Sequence, residues 1–208
     1  MYVNGESWNA FYKANKKGGP WDPPSFLPDQ HVIDFIQYFN FKPNTKIIDL
    51  GCADGRNSRY LLLKKFDVYG IDISEEVISR TQKRLPKGKF SVQDISNLSF
   101  PENHFDCAID AGALHVNDPY GYRKIIENYF AVLKPNGKLF IRCFNEDQPK
   151  IIFEVSKQYN MPVFGFSANY FREIYKDLFN EVKIIYDPNY GAHGFGCNYY
   201  YLEKAALV

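Results

Sequence analysis

The chain has 208 residues, with 25 Lys and Arg against 24 Asp and Glu and a formal net charge of +1. This length suits a single domain with one large core, and such a balanced charge excludes a field that would gather nucleic acid or an anionic membrane surface. The four cysteines have no C-x-x-C spacing, which argues against a zinc site and a disulfide framework. No apolar run has the length of a signal peptide core or a membrane span. We therefore expect a cytoplasmic protein without a metal site.

Residues 1–28 predict an N-terminal arm, because the segment is rich in Gly, Pro, Asn and aromatic residues. Prolines between Gly18 and Asp29 exclude a continuous helix there. A free tail is normally poor in large rings, whereas this arm carries Trp8, Phe11, Tyr12, Trp21 and Phe26. We expect the arm to fold back onto the rest of the chain, residues 29–208. Its rings then either help to close a ligand site or simply cover the edge of the core.

The first regular elements are a helix and a strand–turn–helix–strand unit. Apolar residues at helical spacing predict a helix over 29–41. The stretch KIIDLGCADGRNSRYLLLKKFDVYGIDIS, residues 46–74, then predicts a strand, a glycine turn, a helix over 57–66 and a strand ending at Asp72. This arrangement is one half of a doubly wound nucleotide-binding fold. An acid about 20 residues beyond the turn can bind both ribose hydroxyls.

The glycine spacing in the turn indicates which nucleotide is bound. A dinucleotide site requires G-x-G-x-x-G, because a pyrophosphate lies against bare backbone at a helix N-terminus. Two of those three positions fail here, since they hold Ala53 and Arg56. The pattern acid-x-G-x-G-x-G is met at Asp49, Gly51 and Gly55, with Ala53 as its single departure.

The charge of the turn agrees with this second pattern. Asp49 and Asp54 flank the loop, where they would repel a pyrophosphate and attract a cation. A ligand that joins adenosine to an ammonium and a sulfonium suits such a site, and S-adenosylmethionine is that ligand.

The remaining elements alternate between helices and strands. We predict strands over 89–93, 104–109, 138–144, 181–186 and 198–203, and helices over 75–85, 120–133, 151–159 and 168–179. Ligands of an open parallel sheet bind beyond the carboxyl ends of its strands. We therefore expect Asp49, Asp72, Asp94 and Asp110 to surround one crevice. The irregular segment 145–166 is predicted to lie above this crevice as a lid.

Five segments, in order, resemble the class I S-adenosylmethionine-dependent methyltransferases: IIDLGCADG, YGIDIS, SVQDISNLSF, FDCAIDAGALH and LKPNGKLFIRCF. The resemblance implies a Rossmann-like α/β fold, with a doubly wound seven-stranded sheet that is mostly parallel and has an antiparallel last strand. It implies S-adenosylmethionine as cofactor and S-adenosylhomocysteine as product. The arm is similar to that of the thiopurine and tellurite-resistance methyltransferases, where it helps to close the donor site.

The resemblance also assigns the residues that hold the donor. By its motifs Asp72 would bind the ribose, and Asp94 and the backbone of Ile95 the adenine. The complete predicted donor set is Asp49, Gly51, Ala53, Gly55, Asp72, Ile73, Asp94, Ile95, Asp110, Tyr12 and Trp21.

Methyl transfer from a sulfonium is an in-line displacement, so alignment and exclusion of water contribute most to catalysis. A base is needed only if the acceptor carries a proton at neutral pH. The candidates are Asp110, His115 and, in a glycine-rich loop before the last strand, His193. His115 lies just past the fourth strand, where we expect it to titrate near neutral pH. It could equally cap a helix or bond to backbone.

The acceptor is predicted to be a small molecule, since the aromatic arm and lid suggest a small closed apolar pocket. We expect neither nucleic acid nor a membrane as partner, and the sequence does not indicate an oligomeric state. Two alternatives belong to other classes. One is a non-catalytic protein that binds S-adenosylmethionine or a partner, and the other is a dinucleotide-dependent oxidoreductase, which the failed glycine pattern disfavours.

Overall fold

The computed structural model describes residues 4–15, 26–147, 149–152, 161–190 and 195–206. Its α-helices are α1 (Gly5–Ala14), α2 (Gln30–Phe39), α3 (Arg56–Leu63), α4 (Glu75–Arg84), α5 (Tyr122–Val132) and α6 (Ala168–Tyr175). Its strands are β1 (Lys46–Leu50), β2 (Asp67–Asp72), β3 (Lys89–Val92), β4 (Phe105–Asp110), β5 (Leu133–Phe144), β6 (Lys150–Ile151), β7 (Phe164–Gly165), β8 (Phe179–Tyr190) and β9 (Phe195–Lys204).

The strands form one mixed sheet. β3, β2, β1, β4 and β5 lie side by side in that order and run parallel. β9 pairs antiparallel with β5, and β8 pairs antiparallel with β9. The short strand β7 joins the end of β5, and β6 pairs with β7. The predicted mostly parallel seven-stranded sheet with an antiparallel final strand is confirmed, and β6 and β7 are additional strands inside segment 145–166.

Helices cover both faces of the sheet because each carries one apolar side. Val32, Phe35 and Ile36 of α2 pack on one face together with Leu61 of α3. The other face packs against α5 and α6, whose buried rings include Tyr129. The carboxyl ends of β1, β2 and β4 therefore open at one edge of the sheet, between these two layers.

Side-chain caps fix where several helices begin. The carboxylate of Asp29 accepts the N–H of His31 at the start of α2, and the hydroxyl of Ser74 accepts the N–H of Val77 at the start of α4. A cap satisfies N–H groups that the first helical turn leaves unpaired. The Ser74 cap also fixes the turn directly after Asp72.

Several predicted elements differ from the structure. Residues 5–14 of the arm are helical, whereas composition suggested an irregular segment. α5 is preceded by a separate 3₁₀ turn, Pro119–Gly121, and α6 ends at Tyr175 instead of 179. Most of the helix predicted over 151–159 lies outside the described residues, and Ile151 itself is in a strand.

Candidate active site

The loop after β1 has three residues in the left-handed region: Gly51 (φ +68°), Ala53 (φ +48°) and Gly55 (φ +82°). A Cβ added to Gly51 would lie 2.5 Å from the Cβ of Ala113, so the loop touches the segment after β4 and leaves no room for a side chain. Ala53 adopts the same left-handed conformation at some steric cost. The spaced glycines therefore allow a tight turn, and this turn brings backbone without side chains to the open edge of the sheet.

Asp72 lies directly beside this loop. One carboxylate oxygen accepts the N–H of Ala53 at 3.1 Å, and the other accepts the N–H of Ser74 at 2.9 Å. Burial raises the pKa of Asp72 to about 6, although both hydrogen bonds oppose the shift. Each oxygen can accept a further hydrogen bond. The geometry thus brings the predicted ribose-binding acid against the glycine turn.

Asp49 is buried at the base of the loop. Its carboxylate accepts the hydroxyl of Ser58 at 2.6 Å. Burial raises its pKa to about 6, against the hydrogen bond from Ser58 and the charge of Arg56. Asp49 and Asp72 thus form a pair of desolvated acids on either side of the turn.

Asp54 was expected to face a cationic ligand together with Asp49, and the structure gives it a different partner. Its carboxylate is paired with Arg80 at 3.1 Å and with Arg84 at 3.5 Å. Both arginines belong to α4. The charge of Asp54 is therefore compensated within the protein.

The predicted adenine segment follows β3. The N–H of Gln93 donates to the carbonyl of Asp72 at 3.0 Å, which places the segment beside the predicted ribose-binding acid. The half-buried carboxylate of Asp94 accepts the N–H of Ser96 at 2.7 Å. The side chain of Asn128 donates to the carbonyl of Ile95 at 3.2 Å and so ties the segment to α5.

Asp110, predicted as a base and as a donor contact, instead organises the turn after β4. One carboxylate oxygen accepts the N–H groups of Gly112 and Ala113, and the other accepts the N–H of Leu114 and the hydroxyl of Tyr129. The side chain is fully buried. Each oxygen of Asp110 thus accepts two hydrogen bonds from the protein, and its roles as base and as donor contact stay predictions.

His115 lies at the same open edge, three residues beyond Gly112. Its ring stacks on Phe144 at a centroid distance of 4.9 Å. Burial and the charge of Arg142 lower its pKa to about 3, so the expectation of titration near neutral pH is wrong. Its buried Nδ1 has no hydrogen-bond partner in the described part of the chain. A neutral imidazole with an unused nitrogen therefore lies beside Gly112, in the segment that contacts the loop after β1.

A buried ion pair between Asp29 and Arg142 was missed. The guanidinium of Arg142 donates to the carboxylate of Asp29 at 2.9 Å, and Arg56 approaches the same oxygen at 3.7 Å. A Cβ on Gly112 would lie 2.4 Å from Nη2 of Arg142, so the guanidinium lies against bare backbone. The available signal was an arginine within the apolar strand sequence LFIRCF.

The arm helix α1 packs beside Asp72. The side-chain oxygen of Asn9 accepts the hydroxyl of Ser74 at 2.8 Å and the N–H of Glu76 at 3.1 Å. A Cβ on Gly5 would lie 3.0 Å from the carbonyl of Ile73. Two predicted site residues, Trp21 and His193, lie outside the described residues, as does the whole of segment 16–25.

Comparison with known proteins agrees with this arrangement. The sequence profile of the methyltransferase domain family matches residues 47–137. Phosphoethanolamine N-methyltransferase 1 of Arabidopsis thaliana is 33% identical over 115 residues, which cover 52% of this chain and 23% of that protein. An uncharacterized methyltransferase of Schizosaccharomyces pombe is 31% identical over 109 residues, covering 50% of this chain and 75% of that protein.

The fold is shared with solved structures. The 1,6-didemethyltoxoflavin-N1-methyltransferase of Burkholderia thailandensis, with bound 1,6-didemethyltoxoflavin and S-adenosylhomocysteine, aligns with a TM-score of 0.75 at 19% identity. The alignment covers 99% of this chain and 92% of that one. Taken with the yeast relative, which is matched over three quarters of its length, these findings mean that the chain belongs to the class I S-adenosylmethionine-dependent methyltransferases.

Proposed function

We propose that this protein transfers a methyl group from S-adenosylmethionine to a small-molecule acceptor. The observation that carries the proposal is the hydrogen bond between the N–H of Ala53 and the carboxylate of Asp72. This contact holds Asp72, which we propose binds the ribose, against the glycine turn, at the edge of the sheet where nucleosides bind in such folds.

The residues at this edge fit the donor chemically. Burial raises the pKa values of Asp49 and Asp72, which means that their ionised forms are costly in the donor-free protein. A cationic ligand with hydroxyl donors would offset that cost. In our proposal Asp72 binds the ribose hydroxyls, Asp94 and the backbone of Ile95 hold the adenine, and Asp49 lies nearest the charged methionine part.

Bound S-adenosylmethionine supplies an electrophilic methyl group on a positively charged sulfur. The protein would align the acceptor and exclude water. His115 is proposed to orient the acceptor, because its unused Nδ1 is buried and a buried polar atom requires a partner. With a pKa near 3 it is a poor general base, so this role is one of hydrogen bonding and not of proton removal.

A small acceptor is supported by two comparisons. The names of the plant and Burkholderia proteins specify phosphoethanolamine and 1,6-didemethyltoxoflavin, both small molecules. The charge of the chain, +1, supplies no basic field for a nucleic acid acceptor.

No described helix is long and apolar enough to cross a bilayer. All four cysteines are free and buried, which supports our proposal of a reducing cytoplasmic location.

Calorimetry with S-adenosylmethionine, S-adenosylhomocysteine and NADH tests the donor. We expect the two sulfur compounds to bind and Asp72→Ala to weaken binding by about 1–3 kcal/mol, the usual cost of leaving charged hydrogen-bond partners unmade. Asp67→Ala, at the opposite end of β2, is the matched control and should bind as the wild type does. Preferential binding of NADH would instead establish the oxidoreductase alternative.

Turnover is tested separately by release of S-adenosylhomocysteine over a panel of small amines, thiols, phenols and carboxylates. Tight donor binding without release over the whole panel would favour a non-catalytic donor-binding protein. Release with one acceptor class would identify the attacking atom.

A further inference from the structure

Asp54 is a buried carboxylate of the donor loop, which is the loop over Gly51–Gly55 that we propose binds S-adenosylmethionine. The proposed methyl transfer does not use this carboxylate. Asp54 is 1% exposed, and it follows Ala53, whose N–H donates to Asp72. Arg80 donates to its carboxylate at 3.1 Å, while Arg84 lies 3.5 Å from the carboxylate and donates to the backbone carbonyl at 3.2 Å. Two arginines of one helix therefore share one acid of the loop.

The same two arginines also contact the arm. Nη1 of Arg80 donates to the carbonyl of Tyr12 at 3.1 Å, and its guanidinium lies 5.5 Å from the centroid of the Tyr12 ring. The guanidinium of Arg84 lies 4.5 Å from the ring of Phe26. Tyr12 is near the end of α1, and Phe26 precedes α2. The arm is thus held at two points, each by an arginine that is also bound to Asp54.

The helix that carries these arginines contacts the donor loop directly. The hydroxyl of Thr81 donates to the carbonyl of Ala53 at 2.8 Å. Residues 80 and 84 are one helical turn apart and so lie on one face of α4. Side chains on that face of α4 contact both the donor loop and the arm.

Arginine suits a residue that serves two partners at once. Its planar guanidinium presents five N–H donors in a fixed fork and stacks on aromatic rings, whereas the ammonium of lysine is a compact charge without either property. In Arg80 one terminal nitrogen bonds the loop acid and the other bonds the arm. A single guanidinium therefore contacts the arm and the loop acid at the same time.

We propose that Asp54, Arg80 and Arg84 are positioning residues that fasten the arm to the donor loop, so that arm docking and donor binding are coupled. The proposal rests on the proposed function, because it takes the loop over Gly51–Gly55 as the donor site. Coupling of this kind is reciprocal: if a docked arm raises donor affinity, a bound donor must stabilise the docked arm by the same factor.

Hydrogen exchange in α1, with and without S-adenosylhomocysteine, measures the coupling. The test variant is Arg80→Lys, which keeps the charge but loses the fork, and the control is Lys83→Gln on the exposed side of the same helix. In the wild type and the control we expect S-adenosylhomocysteine to slow exchange in α1. In Arg80→Lys this protection should be lost and the dissociation constant should rise about 5- to 20-fold, within the usual range of coupling between sites.

Arg84→Lys should act in the same direction but less, because Arg84 is more exposed than Arg80. In steady-state kinetics the KM for the donor should rise in Arg80→Lys while kcat at saturating donor stays within about twofold, as expected when only binding is weakened. Asp54→Asn, provided that this variant folds, is the third substitution to be measured beside Arg80→Lys and Arg84→Lys. Equal donor affinity and equal α1 exchange in Arg80→Lys and Lys83→Gln would overturn the proposal.

One measurement separates failure of this proposal from failure of the proposed function. Without any donor, α1 should exchange faster in Arg80→Lys than in Lys83→Gln, because the bond from Arg80 to Tyr12 involves no donor atom and the lysine ammonium cannot bind Tyr12 and Asp54 as the guanidinium does. If the wild type binds no S-adenosylhomocysteine and α1 still loosens, the fastening is real and the donor assignment is wrong. If S-adenosylhomocysteine binds without protecting α1 in the wild type, the coupling is wrong.

Discussion

At the scale of single residues, Gly51 sets how closely the donor loop approaches the segment after β4. Its positive φ and its contact with Ala113 leave no space for a Cβ. We expect Gly51→Ala to lower the free energy of unfolding by about 1–3 kcal/mol, because it combines backbone strain with overpacking. It should also weaken S-adenosylmethionine binding. Urea denaturation and calorimetry measure the two effects.

Ala53→Gly is the matched control for this substitution. Ala53 has φ +48°, which glycine adopts without steric cost, so the free energy of unfolding should change by less than about 1 kcal/mol. Equal losses in Gly51→Ala and Ala53→Gly would mean that the contact with Ala113 is not what fixes the loop.

The raised pKa values of Asp49 and Asp72 predict a pH dependence with a definite sign. Between pH 4 and 6 the folded protein keeps protons on these acids that the unfolded chain has lost, so their contribution to stability falls as pH rises and levels off above about pH 6. A cationic donor favours the ionised acids. Its affinity should therefore increase from pH 5 to pH 7, even as the donor-free protein loses this contribution.

Calorimetry at pH 5, 6, 7 and 8 checks the affinity, and urea denaturation over pH 4–6 checks the stability. Asp72→Asn should bind the donor weakly at every pH and show a shallower change in stability over the lower range, since one of the two titrating acids is gone. A donor affinity that does not vary between pH 5 and 7 would contradict the assignment of these acids.

His115 should contribute no inflection to the pH–rate profile near 6.5, because its pKa is about 3. His115→Phe preserves the stacking on Phe144 but removes the buried Nδ1. We expect the KM for the acceptor to rise while donor affinity stays unchanged. An inflection near pH 6.5 that disappears in His115→Phe would restore the role of a general base.

The roles of individual residues were only partly predictable from the sequence. Motif spacing located Asp49, Asp72 and the glycine turn, because their relation is local in the chain. The roles of Asp110 and Asp54 depend on Tyr129 and Arg80, which are brought near only by packing. The low pKa of His115 results from burial, which no local pattern reports.

At the scale of elements, Asp29 connects α2 to the sheet. Its carboxylate caps the helix and forms the buried pair with Arg142. Asp29→Ala removes the carboxylate from this buried ion pair, so it should lower the free energy of unfolding by about 3–5 kcal/mol. Asp34→Ala on the same helix is the control, where a change within about 0.5 kcal/mol is expected. Similar urea midpoints for both variants would show that the pair contributes little.

The periodicity of apolar residues located α2, α4 and α5, because each buries one continuous side against the sheet. It failed for α1, whose position depends on Asn9 and on the start of α4, and not on a broad apolar side. It also extended α6 by four residues, since Leu178 and Phe179 continue the apolar spacing of three and four residues beyond Tyr175 although the helix has ended.

At the scale of the whole molecule, the two core clusters formed by the described residues include none from α1, whose buried residue is Tyr12. Deleting residues 1–15 should therefore leave a sheet that still unfolds cooperatively in urea, while the affinity for S-adenosylhomocysteine falls. The wild type is the reference for both measurements. A deletion variant with full affinity would refute the idea that the arm closes the donor site, and loss of cooperative unfolding would make α1 part of the core.

The alternation of helices and strands was enough to predict a doubly wound sheet. The position of the last strand was not contained in that pattern, because its pairing joins β5 to residues about 60 positions away in sequence. Family resemblance supplied it. The strands β6 and β7 are two residues each, which is too short for any periodicity to appear.

The place of β9 bears on how the chain is synthesised. β9 lies between β5 and β8, so it fills a gap between two strands that both precede it in the chain. While the ribosome still covers that segment, β5 and β8 present unpaired edges, which are templates for association with other chains. A nascent chain stalled before Phe195 is therefore expected to be a substrate for chaperones. Once residues 195–204 have left the ribosome and paired with β5 and β8, these edges should no longer be exposed.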